Sequence, residues 1–266
     1  MARGGPHNKE NIMTKKYQNP PWHPGVNFAG TSLDFMPSDT KESLDKLCQV
    51  PEYYEYFKQH GWLEPGGITY KFNSYGFRCD EFDEQDCMIA LGCSFTLGIG
   101  LPVHSTWPQK TGQQLGLVPY TLAWGGTSAD TCFRLAEYWI PQLKPKAVFM
   151  LTPPPARFEL IRASGDVPIE NYLPQSESQS ASEIDSYLRH WFTAEENCRL
   201  NQIKNKLAIK AICNDLQIPC FIYDAFVYMG KSREEIGYAR DRMHSGPRGH
   251  ELLAEKMVHD YNNYSL

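Results

Sequence analysis

Short apolar runs alternate with longer segments of helical periodicity from residue 88 to the C terminus. The apolar runs fall at 88–92, 118–124, 147–151 and 220–223. The clearest helical segments fall at 105–115, 128–143, 194–216 and 247–261. Strands that alternate with helices of this length predict a parallel sheet that is covered on both faces. We therefore expect a three-layer α/β/α sandwich with a mainly parallel central sheet.

The chain divides into three parts on the same grounds. Residues 1–30 are rich in Pro, Gly and Asn and predict an extended N-terminal arm. Apolar residues at helical spacing, interrupted at Pro51, predict two short helices in a helical extension over residues 31–65 that packs on the body. The α/β/α domain then occupies residues 66–266, with a Ser-, Gln- and Glu-rich surface excursion at 164–182.

Composition excludes several classes of function. A net charge of −5 over 266 residues argues against a nucleic-acid partner, because binding phosphates needs concentrated Lys and Arg. No run of about 18 apolar residues is present, so we expect no membrane span. The polar stretch before residue 24 lacks the apolar region of a secretory signal. The eight scattered cysteines predict reduced thiols in a cytoplasmic protein, although export by another route stays open.

The first predicted strand ends in a glycine-rich turn, 92–100, that presents Ser94. In open α/β sheets the carboxyl edge of the strands is where ligands bind. A phosphate loop is excluded because its spacing is wrong and Ile99 stands where its lysine should be. The α/β-hydrolase motif Gly-x-Ser-x-Gly fails at Thr96. The turn alone is compatible with a nucleophilic serine or with a plain strand-to-helix turn.

A second polar motif, Asp241 and His244, precedes the last predicted helix. A serine nucleophile needs a base, and that base needs a carboxylate to hold its tautomer. Residues three apart on one loop can meet side chain to side chain. An isolated Asp-x-x-His also occurs by chance as a polar loop, so its meaning depends on Ser94.

Together the two motifs resemble those of the SGNH, or GDSL-type, hydrolases, over roughly residues 73–260. The segment 92–94 resembles the family's first block, 125–128 stands where its second block supplies a glycine amide, and Asp241 with His244 matches its fifth block. The resemblance implies an SGNH-hydrolase, flavodoxin-like fold. It also implies a Ser94–His244–Asp241 triad, with the Ser94 and Gly126 amides in the oxyanion hole.

Two positions depart from the family pattern. Cys93 replaces the aspartate of the first block, and the third block has no Gly-x-Asn-Asp, offering a proline-rich segment at 151–159 instead. A missing oxyanion donor costs about 10²–10³ in rate unless it is replaced. We expect Arg157 or Thr152 to substitute for the absent asparagine.

Other chemistry is less well supported by the sequence. Cys93 is an alternative nucleophile, but Ser94 holds the family position and Cys93 is expected to point into the fold. Residues 250 and 259 are both histidines but project from opposite faces of a helix, so we expect no metal site. We expect no cofactor.

The sequence therefore predicts a serine esterase that cleaves a small acyl group, such as an O-acetyl, from a small-molecule or glycan ester. The carbohydrate part comes from the resemblance. The alternatives are a non-catalytic binding or structural protein that retains the fold, and an acyltransferase. The aromatic cluster at 53–62 is interpreted either as the core of the extension or as a platform for sugar rings.

Overall fold

The computed structural model describes residues 21–83, 85–161, 169–172, 194–229 and 233–264. Its strands are β1 (Ser32–Leu33), β2 (Tyr70–Lys71), β3 (Cys87–Gly92), β4 (Val118–Ala123), β5 (Ala147–Thr152), β6 (Phe158–Ile161), β7 (Ile169–Tyr172) and β8 (Cys220–Asp224). Its helices are α1 (Lys41–Leu47), α2 (Pro51–Gln59), α3 (Ser94–Leu97), α4 (Trp107–Leu115), α5 (Ala129–Leu143), α6 (Glu195–Asp215), α7 (Ala225–Met229), α8 (Arg233–Ile236) and α9 (Pro247–Asn262).

Four strands form the central sheet in the order β4–β3–β5–β8, and every neighbouring pair is parallel. All residues of β3 and β5 are buried, as expected of strands that are covered on both faces. The order of the strands reverses between β3 and β5. The chain runs from β3 to β4 on one side of β3, and then crosses back to β5 on the other side. In sheets of this kind the ligand binds at that reversal, outside the carboxyl ends of the strands.

Helices cover the sheet on both sides. On one face Ile89 and Leu91 of β3 pack in a cluster with α5 and α6, and on the other Met88 and Ala90 pack in a cluster with residues of α4 and α9. Successive side chains of a strand point to opposite faces, so the continuous apolar run of β3 serves both layers. The predicted three-layer α/β/α fold with a parallel sheet is confirmed.

Of the N-terminal arm predicted for residues 1–30, the structure describes residues 21–30, and these contact the domain. Pro24–Phe28 form a 3₁₀ turn, and the buried ring of His23 stacks on Phe77 with centroids 4.0 Å apart. The Trp22 carbonyl accepts a hydrogen bond of 2.6 Å from Arg134 of α5. The His23 ring and the Trp22 carbonyl therefore hold this part of the N-terminal segment against the domain. Residues 1–20 lie outside the described residues.

Other local differences have simple causes. The helix expected from Ser105 begins at Trp107, because Val103–Ser105 form a 3₁₀ turn and Thr106 is the N-cap. The antiparallel hairpin β6–β7 was not predicted. It follows the three consecutive prolines 153–155, a pattern that predicts a break in regular secondary structure. Most of the predicted surface excursion at 164–182 lies outside the described residues.

The N-terminal extension carries α1, α2 and strand β1, which pairs with β2 near the start of the domain. Phe57 and Trp62 are buried, whereas Tyr54 is exposed. Much of the aromatic cluster therefore forms a core between the extension and the domain. None of the helices built by the described residues has the length and apolar character needed to cross a bilayer.

Candidate active site

Ser94 lies at the carboxyl end of β3, beside the reversal in strand order. It is the first residue of α3 and is 7% exposed. A Cβ at Gly92 would collide with the Thr96 hydroxyl and the Leu151 carbonyl, so only glycine lets the turn fold this closely against β5. Cys93 is 1% exposed, as expected for a thiol that packs into the fold.

Asp241 and His244 form a buried pair on the loop that precedes α9. The Asp241 Oδ2 lies 2.6 Å from His244 Nδ1. The Asp241 Oδ1 accepts backbone hydrogen bonds from Met243 at 3.0 Å and from His244 at 3.1 Å. Both oxygens of the carboxylate are thus engaged, which fixes it on the loop. A carboxylate that accepts from Nδ1–H makes Nε2 the nitrogen that can take up a proton.

The loop of residues 237–246 and the turn of residues 92–100 lie against each other. We call them the acid–base loop and the nucleophile turn, after the roles that the sequence predicts for their residues. The ring of Phe95, the residue after Ser94, meets the His244 ring edge to face with centroids 5.1 Å apart. The Gly100 carbonyl accepts a hydrogen bond of 2.8 Å from the Arg240 N–H. The structure therefore brings together the two motifs that the sequence predicts to cooperate.

Gly100 lies directly against the acid–base loop, so Gly100→Ala tests the contact between the two segments. A Cβ there would lie 2.9 Å from both Ala239 Cβ and the Arg240 nitrogen, at a φ of +75°. We expect a loss of about 2–4 kcal/mol in the free energy of unfolding, from the left-handed backbone and the steric clash together. Urea denaturation measures it.

Gly116→Ala is the matched control for this substitution. Gly116 has a similar φ of +66°, and nothing lies within 4 Å of an added Cβ. Its loss should be only about 1–2 kcal/mol, from the backbone conformation alone. If the two variants lost the same free energy of unfolding, the contact between Gly100 and the acid–base loop would contribute nothing to the loss.

The second glycine-rich loop follows β4 at the same edge of the sheet. Gly126 has a φ of +79°, and the neighbouring Thr127 hydroxyl contacts the Trp124 carbonyl at 2.8 Å and the Gly92 carbonyl at 3.1 Å. The Ser128 hydroxyl then caps α5 by accepting from the Thr131 N–H. This loop is therefore tied to the end of β3, next to the turn that carries Ser94.

The two side chains expected to replace the third-block asparagine differ in how they are bonded. The Thr152 hydroxyl donates to the Tyr223 carbonyl at 2.7 Å, so its one proton is already engaged. The Arg157 Nη1 is buried and has no hydrogen-bond partner among the residues that the structure describes. Of the two, Arg157 has the donor capacity that an oxyanion requires.

A buried arginine that was not predicted as a site residue supports the nucleophile turn. Arg78 donates hydrogen bonds of 2.7–3.0 Å to the carbonyls of Leu97, Gly98 and Leu101. A fourth bond goes to the Thr69 carbonyl. Burial lowers the pKa of Arg78 to about 10, so it stays charged at neutral pH. Arg78 lies ten positions before the start of the predicted strand at 88–92, but the sequence does not show which carbonyls it contacts.

His250 lies in the first turn of α9, the helix that follows the acid–base loop. It is 1% exposed, and its Nδ1 accepts from the Trp107 N–H at 3.0 Å. Burial, followed by the nearby His244, lowers the pKa of His250 to about 3, which keeps it neutral. Within the described ranges, no three His, Cys, Asp or Glu side chains converge to hold a metal ion.

No protein-family model matches this chain, and no curated protein matches it in sequence. Several solved structures are similar to it in fold. A lipolytic protein of the G-D-S-L family from Desulfitobacterium hafniense is 15% identical, with a TM-score of 0.34, 65% of this chain covered and 98% of that one. A psychrotrophic esterase from Pseudoalteromonas sp. is 11% identical, with a TM-score of 0.37 and coverages of 67% and 100%.

A third similar structure is a family two carbohydrate esterase from Clostridium thermocellum in complex with cellohexaose. It is 13% identical, with a TM-score of 0.34, and the match covers 67% of this chain and 64% of that one. The first of these three structures is described as a member of the G-D-S-L family, and the other two as esterases. Likenesses of this size assign no activity to the chain, since one fold hosts many chemistries.

Proposed function

We propose that this chain is a serine esterase in which Ser94 is the nucleophile, His244 the general base and acid, and Asp241 the residue that orients His244. The observation that carries the proposal is the 2.6 Å contact between Asp241 and His244 on a loop packed against the Ser94 turn. An imidazole that is fixed by a carboxylate beside a serine is the arrangement that acyl transfer needs.

The reaction proceeds in two halves. The Ser94 hydroxyl attacks the ester carbonyl carbon while its proton passes to His244 Nε2. The C–O bond then breaks, the leaving alcohol takes that proton, and the acyl group stays on Ser94. Water attacks the acyl-enzyme, gives its proton to His244, and releases the acid as Ser94 recovers its hydrogen. An alcohol in place of this water gives acyl transfer.

The proposed oxyanion hole uses backbone N–H groups at the edge of the sheet. The Ser94 N–H belongs to the first residue of α3, where helix geometry provides no intrahelical acceptor. The Gly126 amide in the loop after β4 is the second donor, and the Arg157 guanidinium supplies the third in place of the family's asparagine. Such donors act best in a site that excludes water, and Ser94 is 93% covered.

The proposed substrate is a small acyl group on a carbohydrate. This part of the proposal comes from the sequence resemblance, and acetylated oligosaccharides are the substrates to assay first. A chain that retains the fold without catalysis is the alternative, which the altered third block favours.

Labelling with a fluorophosphonate probe tests the nucleophile. The wild-type protein and Cys93→Ala should be labelled at the peptide that contains Ser94, because Cys93 is buried in the fold. Ser94→Ala should lose the label and its hydrolysis of p-nitrophenyl acetate. The assignment of Ser94 as the nucleophile would be contradicted if the Ser94→Ala variant were still labelled. It would also be contradicted if a folded Cys93→Ala variant were no longer labelled. An unlabelled wild-type protein would favour the non-catalytic alternative.

A further inference from the structure

We propose that Asp39, in the N-terminal extension, is a positioning residue for the candidate active site and acts through Arg240 and Tyr70. This inference rests on the proposed function. It assigns to the extension the task of fixing the acid–base loop and the nucleophile turn relative to each other.

The first contact joins the extension to the acid–base loop. Arg240 forms a bidentate pair with Asp39, with Nε 2.9 Å from Oδ1 and Nη2 2.7 Å from Oδ2. The two side chains are 4% and 2% exposed. Arg240 also donates to the Asp34 carbonyl at 2.7 Å. Since Arg240 directly precedes Asp241, the planar pair fixes the backbone from which the carboxylate of Asp241 projects.

The second contact joins the same carboxylate to the nucleophile turn. The Tyr70 hydroxyl donates to Asp39 Oδ2 at 2.5 Å and accepts from the Gly100 N–H at 2.7 Å. Burial, followed by the charge of Asp39, raises the pKa of Tyr70 well above its usual value. The hydroxyl therefore keeps its proton. Asp39 is thus connected both to Arg240 and, through Tyr70, to the turn that begins at Ser94.

Further contacts hold the extension on the same loop. The Tyr56 hydroxyl donates to the Tyr238 carbonyl at 3.1 Å and accepts from the Tyr238 N–H at 3.3 Å. The Arg242 guanidinium lies between the rings of Tyr53 and Tyr238, 3.6 and 3.3 Å from their centroids. Arg242 holds a φ of +59°, which a non-glycine residue adopts only when its surroundings fix it. The extension therefore restrains the loop on both sides of Asp241.

Geometry, rather than stability, is the contribution of the Asp39 pair. A buried ion pair gives little net stabilisation, because desolvation of the two charges offsets their attraction. What a bidentate pair adds is a defined orientation, and a displacement of about 1 Å at a catalytic group can cost about 10²-fold in rate. The Asp39 pair is placed to prevent such a displacement of His244.

Asp39→Asn and Tyr70→Phe test the inference in the full-length chain. For Asp39→Asn we expect kcat for p-nitrophenyl acetate to fall about 10- to 100-fold with KM within about twofold of wild type, because binding contacts are unchanged. For Tyr70→Phe we expect a fall of about tenfold, since the ion pair remains. In both variants the NMR signal of the His244 Nδ1 proton, assigned by its loss in His244→Gln, should broaden or shift upfield.

Glu159→Gln is the matched control for the loss of a buried bidentate pair. Glu159 pairs with Arg134 at 2.9 and 3.1 Å, away from the acid–base loop. The Glu159→Gln variant should have a lower melting temperature than the wild type but an unchanged His244 proton signal. The inference would be overturned if folded Asp39→Asn kept the wild-type kcat and an unchanged His244 proton signal. If Asp39→Asn does not fold, the same result in Tyr70→Phe would overturn it. The proton signal needs no turnover, so it decides the positioning role even where the esterase proposal fails.

Discussion

Asp241→Asn is expected to lower kcat for p-nitrophenyl acetate by about 10⁴-fold while the protein stays folded. The asparagine oxygen can keep the backbone bonds that Oδ1 accepts from Met243 and His244. Its amide group would face His244 Nδ1 with a donor, where the carboxylate Oδ2 now accepts at 2.6 Å. The imidazole would then carry its proton on Nε2, and that nitrogen could not take one from Ser94.

Steady-state kinetics and circular dichroism of the purified variant measure this effect. Asp224→Asn is the control, because Asp224 accepts a comparable backbone bond, from the Phe226 N–H at 2.9 Å, and lies outside the acid–base loop. The double variant with Ser94→Ala should be no slower than Ser94→Ala alone, since residues that act as a unit do not add. A tenfold or smaller loss in Asp241→Asn would contradict the assigned role.

Acid should destabilise the fold through two buried histidines, His23 and His250. Burial lowers the pKa of His23 to about 4 and that of His250 to about 3. Each group binds its proton more weakly in the folded than in the unfolded chain, whose histidines titrate near 6.5. Stability is therefore complete above about pH 6.5 and is lost as the pH falls toward the folded values. Each histidine should remove about 2 kcal/mol by pH 5.

Urea unfolding at pH 8 and pH 5 tests this in the wild type, His23→Asn and His250→Asn. An asparagine oxygen can accept the bonds that the two imidazoles now accept from the Gly25 and Trp107 N–H groups, and it does not titrate. Each variant should lose about 2 kcal/mol less than the wild type between the two pH values. An unchanged difference for both variants would show that other groups carry the acid sensitivity.

The fold was predictable because its signals are local. A fully buried strand such as β3 is a continuous apolar run, and α5 carries its apolar residues at helical spacing. The hairpin β6–β7 escaped prediction because its short strands follow three prolines and carry polar residues. Register and pairing there depend on partners that the sequence does not display.

The candidate triad was predictable for a different reason. Ser94, Asp241 and His244 stand in two short motifs that are each ambiguous alone, but together they resemble those of a known hydrolase family. Asp39 had no such signal, because its partner Arg240 lies 201 positions away and neither residue belongs to a motif. The same holds for Thr152, whose engagement by the Tyr223 carbonyl depends on the pairing of β5 with β8.

The contact between Asp39 and Arg240 also predicts an order of events during synthesis. It closes a loop of about 200 residues, and such distant contacts form late, after local helices and turns. On the ribosome the turn at Ser94 emerges well before His244, its proposed base. We therefore expect a nascent chain to carry Ser94 without its proposed base until residues 240–244 have emerged and docked on the extension. Under the proposed function, esterase activity should appear only after the contact between Asp39 and Arg240 has formed.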